Sequence, residues 1–263
     1  MEYIHIENLN FSYDKKKLFD NINIDIKKGS FASLTTANSK GKTTFLNILY
    51  GNILTDSKIY IDGKLLDNNS IEYIKSKITF FSPYQRFYSK TVLDELLLEF
   101  NSDSISNINK IKKILKEFNM LNYINESPLK LNYVQCQKLN LIKAILNESE
   151  ILLIDNIFSG FDKYSKIEFI SLIKKYQLDK NITVIYATVD LDDIVFCDKI
   201  IIINDAKVLY DGSLDKVYLN EKILKTSRVN ISMFNELMDK LKLYGIINDK
   251  TCTIDEVVDE ICK

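Results

Sequence analysis

The stretch FASLTTANSKGKTTF, residues 31–45, restricts the fold more strongly than any other part of the sequence. It begins as a short apolar strand, continues as a polar loop and ends in an apolar helix pattern. A strand, a GK[ST] tripeptide and a helix in this order are the context of a phosphate-binding loop, in which backbone amides at the helix start approach a phosphate. Gly41, Lys42 and Thr43 supply the last three fixed positions of the GxxxxGK[ST] pattern.

The wider pattern of the chain predicts an α/β protein. Strand signals occur at residues 2–7, 22–26, 31–35, 58–64, 77–82, 151–155, 182–188 and 199–212, with helical signals over 91–146. Strands that alternate with helices indicate a parallel sheet core of the P-loop NTPase type, here with an antiparallel β subdomain near the amino terminus. We expect a domain over 1–218, with a helical insertion at about 84–150, and a short helical extension over 219–263.

Individual loop residues have separate expected roles. Lys42 would place a cation on the outer phosphates, and Thr43 a hydroxyl on Mg²⁺. Asp155 ends the buried-strand pattern ILLID and would supply a second metal ligand. Thr36 replaces the first glycine of the loop, and a β-branched residue held in a glycine-type conformation costs about 1–3 kcal/mol. We therefore expect weakened binding or a reshaped loop.

Composition argues against several classes of protein. A net charge of -1 gives no electrostatic basis for binding nucleic acid. The four cysteines form no CxxC pair, which is typical of reduced thiols in a cytoplasmic protein. No apolar run reaches the roughly 18 residues that span a bilayer, and the amino terminus lacks a signal-peptide layout. Histidine occurs once, as His5, so a mechanism that needs a histidine late in the chain is excluded.

Taken in order, the motifs resemble those of an ABC-type ATPase, the nucleotide-binding subunit of an ABC transporter. The matching segments are the Walker A loop at 36–44, the LSGGQ signature position at 131–135, Walker B at 151–155, the D-loop at 159–162 and the THD position at 188–190. The resemblance covers residues 1 to about 218 and implies ATP and Mg²⁺ as cofactors. It assigns to ATP the residues Tyr13 (stacked on adenine), Thr36, Ala37, Asn38, Ser39, Lys40, Gly41, Lys42, Thr43 and Thr44, and to the metal Thr43 and Asp155.

The amphipathic tail indicates a resemblance to one particular group of ABC ATPases. Two short helical patterns after residue 218 are similar to the tail of ATPase subunits in energy-coupling-factor importers, where it helps two ATPases dimerise. The resemblance implies a second ABC ATPase subunit and integral membrane subunits as partners, without nucleic acid. It also implies a cytoplasmic protein held peripherally on the inner face of the cell membrane.

Besides Thr36, three further motifs depart from the family pattern. Asn156 stands where the family has a glutamate that polarises the attacking water, and it cannot act as a general base, a role worth typically about 10²–10⁴ in rate. Val189 replaces the histidine that contacts the γ-phosphate. Tyr133 and Val134 replace signature glycines and are expected to put side chains where the nucleotide comes close. No catalytic residue of the family is therefore intact, and whether the chain hydrolyses ATP stays open.

Three hypotheses follow from these departures. The favoured one is an ATP-binding transporter subunit with impaired hydrolysis, paired with a different, intact ATPase. The second is a slow ATPase that uses substitute residues. The third is a scaffold without nucleotide, in which Thr36, Ser39 and Lys40 distort the loop. An ABC protein directed at nucleic acid is the least favoured, because the chain has one cassette and nearly no net charge.

Overall fold

The protein is described by a computed structural model. It covers residues 2–14, 16–36, 41–83, 86–100, 104–189, 191–194, 196–218, 233–247 and 257–258. Among these residues no helix has the length and apolar character needed to cross a membrane. The described strands form one four-stranded and one six-stranded sheet, and helices lie between the strands along the chain. The predicted α/β fold class is confirmed.

The smaller sheet is antiparallel. Its strands are β1 (Glu2–Tyr13), β2 (Lys16–Lys27), β4 (Lys58–Ile61) and β5 (Lys64–Leu65), in the order β2-β1-β4-β5. Alternate side chains such as Ile4, Ile6 and Ile24 are buried, as the period of two along a half-buried strand requires. β1 is longer than predicted because register shifts around Leu9 let the pairing with β2 continue to Tyr13.

The larger sheet holds the strand ends that matter for the site. Its strands are β3 (Phe31–Thr36), β6 (Ile78–Phe81), β7 (Ile151–Asp155), β8 (Thr183–Thr188), β9 (Lys199–Asn204) and β10 (Lys207–Gly212), in the order β10-β9-β3-β8-β7-β6. All neighbours pair in parallel except β10 and β9, which form an antiparallel hairpin. β3, β7 and β8 are buried along their whole length, which explains their continuous apolar runs.

The helices connect and cover this sheet. The described ones are α1 (Lys42–Leu49), α2 (Ile71–Ser76), α3 (Val92–Leu97), α4 (Ile105–Glu117), α5 (Tyr133–Leu146), α6 (Lys163–Lys180), α7 (Leu214–Tyr218) and α8 (Met233–Leu243). The sequence pattern does not reveal α6, because exposed Tyr164, Ile167 and Leu178 obscure its apolar stripe. Around α8, Met238, Ile247 and Val257 form a small apolar cluster of their own. Thr253 and Glu256 are spaced as a capping box for the second tail helix, and both lie outside the described residues.

A buried carboxylate organises the helical insertion. Glu95 of α3 is fully buried. One of its oxygens accepts hydrogen bonds from the amides of Tyr88 and Ser89, both 3.0 Å away, and the other accepts from Lys143 Nζ of α5 at 2.7 Å. Burial raises the pKa of Glu95, but Lys143 and the two amides outweigh burial, so the pKa lies below its ordinary value. The charge therefore fastens the segment before α3 to α5.

We expect Glu95→Gln to lower the free energy of unfolding by about 1–3 kcal/mol, because Lys143 loses a buried charged partner. The matched control is Glu99→Gln, which removes the other carboxylate near Lys143, at 3.4 Å, and should cost at most about 1 kcal/mol. Urea unfolding measures both. Since the folded-state pKa of Glu95 lies below the ordinary 4.5, the difference should persist above pH 4.5 and shrink as acid protonates the folded carboxylate. Equal losses for the two variants would contradict this account.

Candidate nucleotide site

The site begins where β3 passes into α1. The backbone at Gly41, just before α1, has a φ of 104°, in the left-handed region that favours glycine. A Cβ added at Gly41 would also stand 3.0 Å from the ring of Phe19 in β2. Conformation and close packing therefore both require a glycine here. Thr44 lies in the first turn of α1. Ala37, Asn38, Ser39 and Lys40 lie outside the described residues, so their nucleotide contacts stay predictions.

Thr36 does not have the strained conformation that we expected from the sequence. It is the last residue of β3, is fully buried and pairs with Ile203 of β9. Its backbone is extended and its φ is not positive. The expectation of glycine-type strain at Thr36 is wrong, because the strand continues one residue further than its pattern suggested and the chain leaves the sheet only after Thr36.

Lys42 is folded back onto the end of β3. Its Nζ donates a hydrogen bond to the Thr36 carbonyl oxygen at 3.0 Å and lies 3.4 Å from the Thr36 hydroxyl. The side chain is only 9% exposed. Burial lowers the pKa of Lys42 to about 8, and the charge of Asp155 opposes this effect. The ammonium group is therefore held in a partly desolvated position beside the loop.

Thr43 and Asp155, the two predicted metal ligands, are in direct contact. The Thr43 hydroxyl donates to Asp155 Oδ2 at 2.7 Å. Burial raises the pKa of Asp155, while the Thr43 hydrogen bond and the Lys42 charge lower it in part. A hydroxyl and a carboxylate oxygen are hard ligands of the kind that Mg²⁺ takes together with water and phosphate oxygens. The donor set fits magnesium.

Asn156 and Val189, which replace the family's glutamate and histidine, lie at the same edge of the sheet. Asn156 follows β7 with φ 47° and ψ 42°, a left-handed conformation that asparagine tolerates better than most residues. Its backbone amide donates to the Ala187 carbonyl oxygen of β8 at 2.9 Å. Val189 directly follows β8 and is partly buried. An amide side chain thus follows Asp155 and an alkyl side chain follows β8, and neither can accept a proton from water.

β1 holds the predicted adenine-stacking residue, Tyr13, and the one histidine of the sequence, His5. Tyr13 lies at the end of β1, is half exposed and packs edge-to-face on Phe11, with ring centroids 4.9 Å apart. Its contact with adenine stays a prediction. His5 lies in the antiparallel sheet, where its ring contacts Asp25 and Glu7. It therefore does not replace the missing histidine at Val189.

The signature position is the start of α5. Asn132 caps the helix: its side chain accepts from the Gln135 amide, and the Gln135 side chain accepts from the Asn132 amide, each at 2.9 Å. Tyr133, however, does not project away from the helix start. Its hydroxyl donates to the Ile157 carbonyl oxygen at 2.7 Å, and its ring packs on Gly160. The Tyr133 ring therefore packs on the D-loop of its own chain. The expectation that Tyr133 and Val134 put side chains where the partner's nucleotide comes close stays a prediction.

A buried hydrogen-bond network around Asp193 could not be found from the sequence. Asp193 accepts hydrogen bonds from the hydroxyls of Tyr186, at 2.7 Å, and Thr188, at 3.1 Å, and forms an ion pair with Lys166 of α6. Burial, together with the charge of Asp193, raises the pKa of Tyr186 well above its usual value, so Tyr186 remains a donor. The only signal in the sequence was a charged residue following the TVD motif, which does not reveal burial. Asp190 of that motif lies outside the described residues.

Comparisons with known proteins agree with these motifs. A sequence model described as ABC transporter matches residues 19–159. The energy-coupling factor transporter ATP-binding protein EcfA1 of Lactobacillus acidophilus is 26% identical to the chain, over 99% of the chain and 96% of the relative. The corresponding EcfA protein of Pediococcus pentosaceus is 28% identical, over 96% and 94%. The predicted resemblance to the ATPase subunits of energy-coupling-factor importers is confirmed.

Solved structures share the fold. CbiO1 from Clostridium perfringens, described as part of the ABC transporter complex cbiONQ, has a TM-score of 0.76 and 20% identity, covering 90% of this chain and 99% of that one. The ATP-binding cassette MJ0796, bound to ADP and phosphate, has a TM-score of 0.70 and 24% identity, covering 80% and 98%. With the site geometry in place and a family match that spans more than half of its residues, the chain belongs to the ABC transporter family.

Proposed function

We propose that the chain is the ATP-binding subunit of an energy-coupling-factor importer and that it binds ATP with Mg²⁺ without turning it over at an ordinary rate. The observation that carries this proposal is the meeting of Lys42, Thr43 and Asp155 beside the helix start. The names of the relatives from L. acidophilus and P. pentosaceus support the importer class.

Nucleotide binding uses groups that already lie together. Lys42 exchanges its Thr36 acceptors for phosphate oxygens, and the amides at the start of α1 approach the same phosphates. Thr43 and Asp155 would hold the metal through their side-chain oxygens. Bound Mg²⁺ supplies positive charge that neutralises the outer phosphates. All of these steps bind the triphosphate, and none of them activates water.

Hydrolysis is the step for which residues are missing. Asn156 can orient a water molecule by hydrogen bonding but cannot take its proton, and Val189 offers no polar contact to the γ-phosphate. We therefore propose that this chain acts as an ATP-dependent clamp, that its partner is a second, intact ABC ATPase, and that closure of the pair moves integral membrane subunits. It would be held peripherally on the inner face of the cell membrane by those subunits.

The scaffold hypothesis, in which no nucleotide binds, loses one of its supports. It relied on Thr36 distorting the loop, and Thr36 is an unstrained strand residue. Only Ser39 and Lys40 would remain as sources of distortion, and they lie outside the described residues. Titration of the purified chain with ATP and Mg²⁺ distinguishes the scaffold from the clamp.

We expect Lys42→Ala to weaken MgATP binding at least about tenfold, because a charged hydrogen bond to phosphate contributes roughly 1.5–3 kcal/mol. The matched control is Lys58→Ala, which removes an exposed lysine on the antiparallel sheet and should leave affinity unchanged. Isothermal titration calorimetry measures both. Equal affinity in Lys42→Ala and wild type would contradict the assignment.

The affinity should also depend on pH through Lys42. Its pKa in the free protein is about 8, and phosphate binds the protonated form, so the bound-state pKa is higher. Affinity should be level below pH 8 and fall above it by up to about tenfold per pH unit. Lys42→Arg, whose charge persists at this pH, should bind without that fall. A fall of the same size in Lys42→Arg would contradict the role of Lys42.

Restoring both missing groups should restore turnover. We expect Asn156→Glu combined with Val189→His to raise phosphate release by about 10² or more over wild type, because a general base and a γ-phosphate contact return together. The matched control is Asn156→Gln with Val189→His, which has a side chain of the same size and the same backbone strain at position 156 but no carboxylate there to accept a proton. If wild type already releases phosphate at the rate of the restored variant, impaired hydrolysis is ruled out.

A further inference from the structure

Tyr133 ties the signature position to the D-loop within one chain. Its hydroxyl donates to the carbonyl oxygen of Ile157, in the 3-10 turn Ile157–Gly160 that begins after Asn156. A Cβ placed on Gly160 would stand 2.7 Å from the Tyr133 ring, so that ring occupies the space of any side chain at 160. The contact therefore depends on two residues together, a tyrosine at the start of α5 and a glycine in the turn.

A series of aromatic rings extends this contact from α5 to β8. Tyr133 meets Phe161 edge-to-face, with centroids 5.8 Å apart and planes at 85°. Phe161 meets Phe158 at 5.3 Å, and Phe158 meets Tyr186 of β8 at 5.1 Å. The hydroxyl of Tyr186 then reaches Asp193, beyond Val189. A line of packed rings thus joins the start of α5 to the turn that follows Asp155 and to β8, the strand that precedes Val189.

We propose that Tyr133 is a positioning residue that transmits the state of the chain's own nucleotide site to its signature helix. The proposal rests on the function proposed above, in which the Walker loops of this chain hold one nucleotide while its signature faces a second nucleotide, on the partner subunit. Nucleotide at Lys42 and Asp155 fixes the turn that follows Asp155. The turn holds the Tyr133 hydroxyl through the Ile157 carbonyl, and Tyr133 in turn holds the first turn of α5.

The size of this coupling is set by one neutral hydrogen bond. Removing the hydroxyl alone, in Tyr133→Phe, keeps the ring on Gly160 and on Phe161 but leaves the Ile157 carbonyl oxygen without this donor. The net value of such a bond corresponds to a local opening about 3- to 10-fold more frequent. The matched control is Tyr164→Phe, a tyrosine that is 85% exposed in the first turn of α6.

Amide hydrogen exchange of the full-length protein tests the proposal. It is run at a concentration at which light scattering reports a monomer, so that no partner covers α5. Without nucleotide, amides of the turn at 157–161 should exchange about 3- to 10-fold faster in Tyr133→Phe than in wild type or Tyr164→Phe. Amides of β1 and β2 should be unchanged, which a general loss of stability would not allow.

The second arm adds MgATP at saturation. In wild type and Tyr164→Phe, MgATP should slow exchange at residues 135–138, where the Gln135 and Cys136 amides bond to Asn132. In Tyr133→Phe the affinity for MgATP should stay within about twofold while this protection is lost. Protection of 135–138 that is equal in Tyr133→Phe and wild type overturns the proposal. If wild type binds no MgATP, the proposed function fails, and the nucleotide-free arm still decides whether Tyr133 holds the turn.

Discussion

The hydrogen bond of 2.7 Å between the Thr43 hydroxyl and Asp155 joins residues 112 positions apart in the sequence. It can form only because β3 and β7 lie on either side of β8 and end at the same edge of the parallel sheet. The start of α1, the turn after β7 and the end of β8 are all located by those strand ends. The candidate site is thus a consequence of strand order, as is usual for ligand sites outside the carboxyl ends of parallel strands.

Burial of the site's charged groups lowers the stability of the folded protein when no ligand is bound. Burial lowers the pKa of Lys42 and raises the pKa of Asp155, so in both cases the folded protein disfavours the charged form. For Lys42 the cost is fully present below pH 8 and disappears as pH rises above the ordinary value of 10.5. For Asp155 the cost appears as pH rises above the ordinary value of 3.8. Burial that disfavours the charged forms of two neighbouring groups is expected where a charged ligand completes the site.

Much of the fold could be predicted from the sequence, because the decisive signals are local. The buried strands are short apolar runs, Gly41 indicates a left-handed backbone, and Asp155 lies at the end of a strand. What could not be predicted depends on tertiary structure. The extension of β3 to Thr36 follows from pairing with Ile203, and the direction of the Tyr133 side chain follows from the space that Gly160 leaves. The burial of Asp193 likewise depends on groups from β8 and α6.

The central claim is that this chain retains a triphosphate cradle and lacks the groups that activate water. The most direct measurement is a crystal structure of the wild-type chain after prolonged incubation with MgATP. We predict an intact triphosphate with its γ-phosphate near Lys42. We also predict a metal ion that contacts Thr43, either directly or through a water molecule that Asp155 binds. Density for ADP alone would contradict the loss of hydrolysis, and an empty site at saturating MgATP would contradict the cradle itself.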